Sequence, residues 1–159
     1  LFACHLPLDA HLSVGNNAVM AEKLGLTEIE PFGEFKGAAI GVRGILPEPL
    51  TPQEVAERLF GSADVPIRIL PFGEERVRSV GLISGGAPKE AVAAAEAGLD
   101  LFVTGDAAHT VYHNCLERKI NVMFAGHYAT ETWGVWKLSE KLRQERGVDT
   151  RFIDVPTGL

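Results

Sequence analysis

With 159 residues the chain can form one ordinary domain, or one to two small ones. A hydrophobic fraction of 46% and a charged fraction of 23% permit a normal packed core. The net charge is −6 and Lys and Arg are scattered, which argues against a nucleic-acid-binding face, and no apolar run reaches the ~20 residues that span a bilayer. The two cysteines, Cys4 and Cys115, lack CxxC spacing. They read as buried free thiols of a reducing compartment, so a cytoplasmic location is expected.

In chain order, Leu1–Cys4 reads as the inside of a buried strand that begins with no approach. Residues upstream are therefore expected to be missing. Pro7 blocks a continuing ladder or helix, so a bend is expected there. Gly15-Asn16-Asn17 is a turn signal, and a short helix over Asn17 to Leu24 ends at Gly25. Residues 38–43 read as a strand whose glycine suggests an edge. Gly44 to Pro52, with three prolines, is the expected connector between subregions. Thr51-Pro52-Gln53-Glu54 combines a capping box with proline in the first turn, so a helix should run to Phe60 and stop at Gly61.

Residues 67–71 and 78–84 read as two strands joined by a glycine-containing turn. An alanine-rich helix over Pro88 to Ala97 has Gly98 past its end. A buried strand at 100–104, a helix from His109 to Lys119 and a buried strand at 121–125 follow. A long helix from Thr130 to Gln144 and a last strand from Arg151 to Val155 close the chain. From residue 78 onward strands and helices alternate, which predicts an α/β fold with a mixed, mostly parallel sheet covered by helices. Two subdomains are expected: 1–30 with 100–159, and 31–99.

Polar clusters follow three of these segments, where ligands gather beyond the carboxyl ends of parallel strands. The first is His5-Leu6-Pro7-Leu8-Asp9-Ala10-His11, whose imidazoles and carboxylate can ligate a divalent metal. Asp9 can equally cap a local turn, with His11 solvated; on these residues alone both readings stand. The second is Thr104-Gly105-Asp106-Ala107-Ala108-His109, where Asp106 can cap the following helix or share a face with His109. The third is Gly126-His127-Tyr128-Ala129-Thr130-Glu131. There an imidazole and a carboxylate four apart can grip one ion, or can simply open a helix. Ser84-Gly85-Gly86-Ala87-Pro88 is neither a GxGxxG nor a GxxxxGK[ST] motif. A tight turn is its favoured reading and anion binding a minor one. No G-x-S-x-G elbow is present.

Taken together and in this order, His5-Leu6-Pro7-Leu8-Asp9-Ala10-His11 with Gly15-Asn16-Asn17, then Thr104-Gly105-Asp106, then Gly126-His127-Tyr128-Ala129-Thr130-Glu131, closely resemble the Nif-three-like dinuclear metal-centre family. Its bacterial members are often called GTP cyclohydrolase I type 2 homologues. The closing Phe152-Ile153-Asp154-Val155-Pro156-Thr157-Gly158-Leu159 resembles that family's C-terminus. The resemblance covers the whole chain. It implies a Nif-three-like fold, two divalent metal ions (Zn, Mn or Fe) and Asp9, His127 and Glu131 as ligands, with Asp9 the bridge between the ions. His5 would support the centre, and Asp106 and His109 would lie near its rim. A homohexamer and a small-molecule substrate are implied as well. The family's upstream pair of adjacent histidines has no counterpart in this chain. Two functions follow as expectations: a metal-dependent hydrolase acting on a nucleotide such as GTP, or a non-catalytic metal-binding or protein-interaction module.

Overall fold

The computed structural model describes residues 3–61 and 65–157. The described chain begins with helix α1 (Leu6–Asp9) and helix α2 (Asn16–Leu24). Strands β1 (Thr27–Phe35) and β2 (Ala38–Leu50) follow, then helix α3 (Pro52–Phe60) and strands β3 (Arg68–Pro71) and β4 (Val77–Leu82). The second half runs α4 (Ala91–Glu96), β5 (Leu101–Thr104), α5 (Tyr112–Arg118), β6 (Asn121–Phe124) and α6 (His127–Arg146).

The strands form one mixed sheet in the order β1-β2-β4-β5-β6-β3. Its centre, β4-β5-β6, is parallel, as the alternation after residue 78 predicts. Antiparallel partners flank that centre on both sides. The core strands β5 and β6 are buried throughout, which explains their continuous apolar runs. Successive side chains along them alternate between two cores. Leu101, Val103 and Met123 join Met20, Leu46 and Leu59 on the face covered by α2 and α3. Phe102, Val122 and Phe124 join Ala94, Cys115 and Ile120 under α4 and α5. The rings of Phe32 and Phe102 pack edge-on, 6.3 Å between centroids, tying β1 to the second core.

Local signals place α2 and α3 well. The Thr51 hydroxyl accepts from the Glu54 N–H at 3.2 Å, and the Glu54 carboxylate accepts from the Thr51 N–H at 2.7 Å, which completes the capping box. Gly25 closes α2 with φ +67°, a conformation that costs glycine nothing sterically.

Several expectations are corrected. Of the anticipated strand at 1–4, the first two residues lie outside those described, and Ala3 and Cys4 carry no regular structure. Pro7 does not stop a helix but sits in the first turn of α1, where its missing N–H has no partner to lose. β1 was not foreseen at all. β2 continues through Pro47 and Pro49 to Leu50, so the expected connector at 44–52 is largely strand. β3 and β4, adjacent in sequence, lie at different places in the sheet, because β3 pairs with β6 at the far edge. Residues 151–155 form no strand; they run as an irregular tail held to α6 by Tyr128, whose hydroxyl accepts from the Val155 N–H at 2.8 Å. Cys115 is buried and free, but Cys4 is exposed. No helix among the described residues is long and apolar enough to cross a membrane.

Candidate metal centre

The carboxyl ends of the parallel strands, together with α1, bring the three polar clusters to one place. Asp9 ends the single turn of α1 and is 5% exposed. An ionised carboxylate so buried requires partners. Asn16 Nδ2 donates to Asp9 Oδ1 at 2.7 Å and Ser84 Oγ at 3.3 Å. Asp9 Oδ2 accepts no hydrogen bond among the described residues. Asn16 also accepts from the Gly134 N–H at 2.6 Å, so one amide joins Asp9 to α6. A side chain at Gly134 would collide with Asn16 and Leu8, and its absence allows that close approach. Asn17 bridges the Asp9 carbonyl, at 3.1 Å, and the Ser84 N–H, at 2.8 Å. The Asn-Asn pair, read from sequence only as a turn, is thus the clamp that fixes Asp9 against the end of β4.

His5, Asp9 and Glu131 each offer a donor atom, and these atoms lie within 4.8 Å of one another. This is a group that can hold a metal ion. His127 stands beside it, with Nε2 3.3 Å from Glu131 Oε1. On its other side His127 Nδ1 lies 3.0 Å from Asp106 Oδ2. With Nδ1–H donating to Asp106, the Nε2 lone pair is left for a cation, an arrangement typical of ligating imidazoles. His5, expected as support, therefore belongs to the compact donor group. Asp106, expected at the rim, bonds directly to His127. His109 is exposed at the start of a single 3-10 turn and forms part of neither arrangement. His11 is also exposed, and its ring closes its own turn by accepting from the Ser13 and Val14 N–H groups.

The loop after β4 leaves room for these side chains. A Cβ at Gly85 would run into Glu131 Oε1 and come within 3.0 Å of His127 Nε2. One at Gly86 would lie 2.7 Å from Asp106 Oδ2. Gly85 is also pinned from below: its carbonyl accepts from the Gly105 N–H at 2.8 Å and the Asp106 N–H at 3.0 Å, and its N–H donates to Thr130 Oγ1 at 3.0 Å.

Electrostatics at the site are those of anionic groups held together. Burial pushes the Glu131 carboxyl above its ordinary range, and the charge of Asp9 adds to this while His127 opposes it. For His127, burial is the largest single influence and pulls the imidazole down. The hydrogen bond with Asp106 and the charges of Glu131, Asp106 and Asp9 together outweigh it, so its pKa is raised. Two imidazoles and several carboxylates also suit borderline or hard divalent ions by chemistry. The donor set, the open Asp9 oxygen and the missing Cβ atoms all fit such an ion. A cleft of about 500 Å³ opens over the group, with Asp9, Ser84 and Glu131 in its wall.

A family model for Duf34/NIF3 (NGG1p interacting factor 3) matches residues 1–158. The chain belongs to the DUF34/NIF3 family. It is 46% identical over 159 residues to the GTP cyclohydrolase 1 type 2 homolog of Archaeoglobus fulgidus, covering all of this chain and 63% of that protein. With the homolog of the same name from Treponema pallidum it shares 38% identity over 192 residues, or 100% and 67% of the two chains. A crystal structure from Thermus thermophilus superposes with a TM-score of 0.86 at 40% identity, covering 100% of this chain and 62% of that one. The ybgI protein, described as of unknown function, superposes at 0.87 with 34% identity and coverage of 100% and 63%. The chain thus spans less than two thirds of the Archaeoglobus relative and of both these structures. Within this DUF34/NIF3 chain the ligating types were legible as short motifs. Asn16, Asn17, Ser84 and Gly134 were not, because their roles lie in contacts across 7 to 118 residues of sequence.

Proposed function

We propose that this chain carries the Asp9, His127 and Glu131 side of a two-metal centre in a cytoplasmic, metal-dependent hydrolase that acts on a nucleotide such as GTP. The observation that carries the reading is the convergence of donor atoms from His5, Asp9 and Glu131, with His127 alongside. The names of the relatives, GTP cyclohydrolase 1 type 2 homolog, support the substrate class. When bound, divalent ions such as Zn, Mn or Fe would supply Lewis acidity toward the bond to be hydrolysed.

The chain's own residues prepare the site. Asn16 and Ser84 hold the Asp9 carboxylate in one orientation and leave its second oxygen free. Asp106 fixes the His127 ring so that Nε2 faces Glu131. Glu131, half-buried, has its carboxyl raised by burial and by the charge of Asp9, strain that a bound cation would relieve. The resemblance further implies assembly as a homohexamer, for which exposed Val135, Trp136, Ile153 and Val155 offer apolar surface.

The test is turnover of GTP by the full protein loaded with Zn, Mn or Fe, beside its measured metal content. Asp9→Ala and Glu131→Ala should abolish turnover. Rates unchanged in both variants refute the hydrolase. Tight metal binding with no turnover of any nucleotide would instead establish the non-catalytic module.

A further inference from the structure

Ser84 holds Asp9, and Gly85 is pinned to Gly105, Asp106 and Thr130, but Gly86 and Lys89 have no part in the donor group. Ser84, Gly86 and Lys89 all line the cleft over the donor group. The Gly86 N–H makes no hydrogen bond among the described residues, and Gly86 is exposed. Lys89 is exposed and forms no ion pair among the described residues. Opposite in sequence and fold, Phe35 at the tip of the β1–β2 hairpin lines the same cleft and remains 46% exposed. Lys36 Nζ lies over the Phe35 ring, 5.2 Å from its centroid, and the part of the ring still open at the mouth of the cleft can stack on a flat ligand.

Resting on the hydrolase reading above, we infer that this cleft is the substrate subsite: Lys89 and the Gly86 N–H take an anionic phosphate, and Phe35 stacks on the aromatic base. The volume, about 500 Å³, lies in the range of small-molecule sites. A free backbone N–H and an ammonium lining one cleft can both serve an anion, and base stacking on an aromatic ring tolerates any heterocycle. Glu34 and Glu90 also line the cleft, and Asp9 and Glu131 add two more carboxylates. Phosphate therefore enters only when cations offset these charges, so nucleotide binding depends on metal.

The experiment is calorimetric binding of GTP, guanosine and inorganic triphosphate to the metal-loaded full protein, with metal content checked in every variant. Lys89→Ala should weaken GTP and triphosphate by about tenfold and leave guanosine unchanged. Lys89→Arg should restore both. Phe35→Ala should weaken GTP and guanosine by about tenfold and leave triphosphate unchanged, and Phe35→Trp should retain them. Equal affinities across all variants, equal losses for all three ligands, or no binding of GTP by the unaltered protein would each overturn the subsite. Because binding is read apart from turnover, GTP that binds in this pattern without being hydrolysed would sink the hydrolase reading and leave the subsite standing.

Discussion

The two ends of the parallel strands treat polar residues in opposite ways. At the amino ends, Asp100 precedes β5 and its Oδ2 accepts from the Arg78 N–H, the Ser79 N–H and the Ser79 hydroxyl at 2.8 to 2.9 Å. Asn121, 1% exposed at the start of β6, accepts from the Gly73 N–H and donates to the carbonyls of Glu74 and Asp100. The partners there are mostly backbone groups of neighbouring segments, and the result is a fastened sheet. At the carboxyl ends the charged groups face one another. Glu131 meets His5, Asp9 and His127, and burial raises its pKa. A carboxylate saturated by backbone N–H groups is a structural device. Carboxylates gathered with imidazoles and with one another cost stability, which points to a role in binding.

Substitutions at the two ends should separate these roles. The largest effect is expected for Asp9→Asn. It keeps much of the shape but removes the charge, and should lower metal affinity by more than about a hundredfold, beyond what loss of a mere supporting residue does. Its effect on the stability of metal-free protein in urea should be small. Asp100→Ala should do the reverse: a loss of about 1 to 2 kcal/mol in urea unfolding, chiefly from the part-buried Ser79 N–H and hydroxyl left without their acceptor, with metal affinity unchanged. If Asp100→Ala also lowered metal affinity, the two ends would not be independent. Asp106→Asn should reduce metal affinity by about tenfold, since the His127 ring is no longer held.

The pH dependence sharpens the same contrast. Protons compete with metal at His127, whose pKa is raised above about 6.5. Apparent affinity in a metal titration should therefore fall as pH drops through that raised value. Asp106 is part of what raises it, so Asp106→Asn should move the fall to lower pH. A window that stays in place removes Asp106 from its assigned role. The smallest effect belongs far from the site. Thr51→Ala breaks the cap of α3 and should cost about 1 kcal/mol in thermal unfolding without touching metal binding.

Much of the fold was legible in the chain. The apolar runs 101–104 and 121–124 announced buried strands, and the Thr51–Glu54 box announced α3. β1 was not legible because only Phe32 and its neighbour Gly33 turn from solvent along Thr-Glu-Ile-Glu-Pro-Phe-Gly-Glu-Phe, so no alternation marks it. β2 was read too short because prolines at 47 and 49 argue against a strand, yet they fall between the paired residues Ile45 and Leu50, where the ladder with β4 is interrupted. The tail at 151–155 looked like a strand from composition, but both edges of the sheet are already taken by β1 and β3.

By itself, then, the sequence determined the elements with strong local periodicity, the parallel centre, and the residue types able to bind metal. Periodicity and capping act within a few residues, and so can be read without knowing the rest of the chain. Only the tertiary structure decided that His5 joins Asp9 and Glu131 while His109 stands apart, that Asp106 holds His127, and that an Asn pair clamps the whole. Those choices depend on strand order and on hydrogen bonds that join distant segments, which no local pattern encodes.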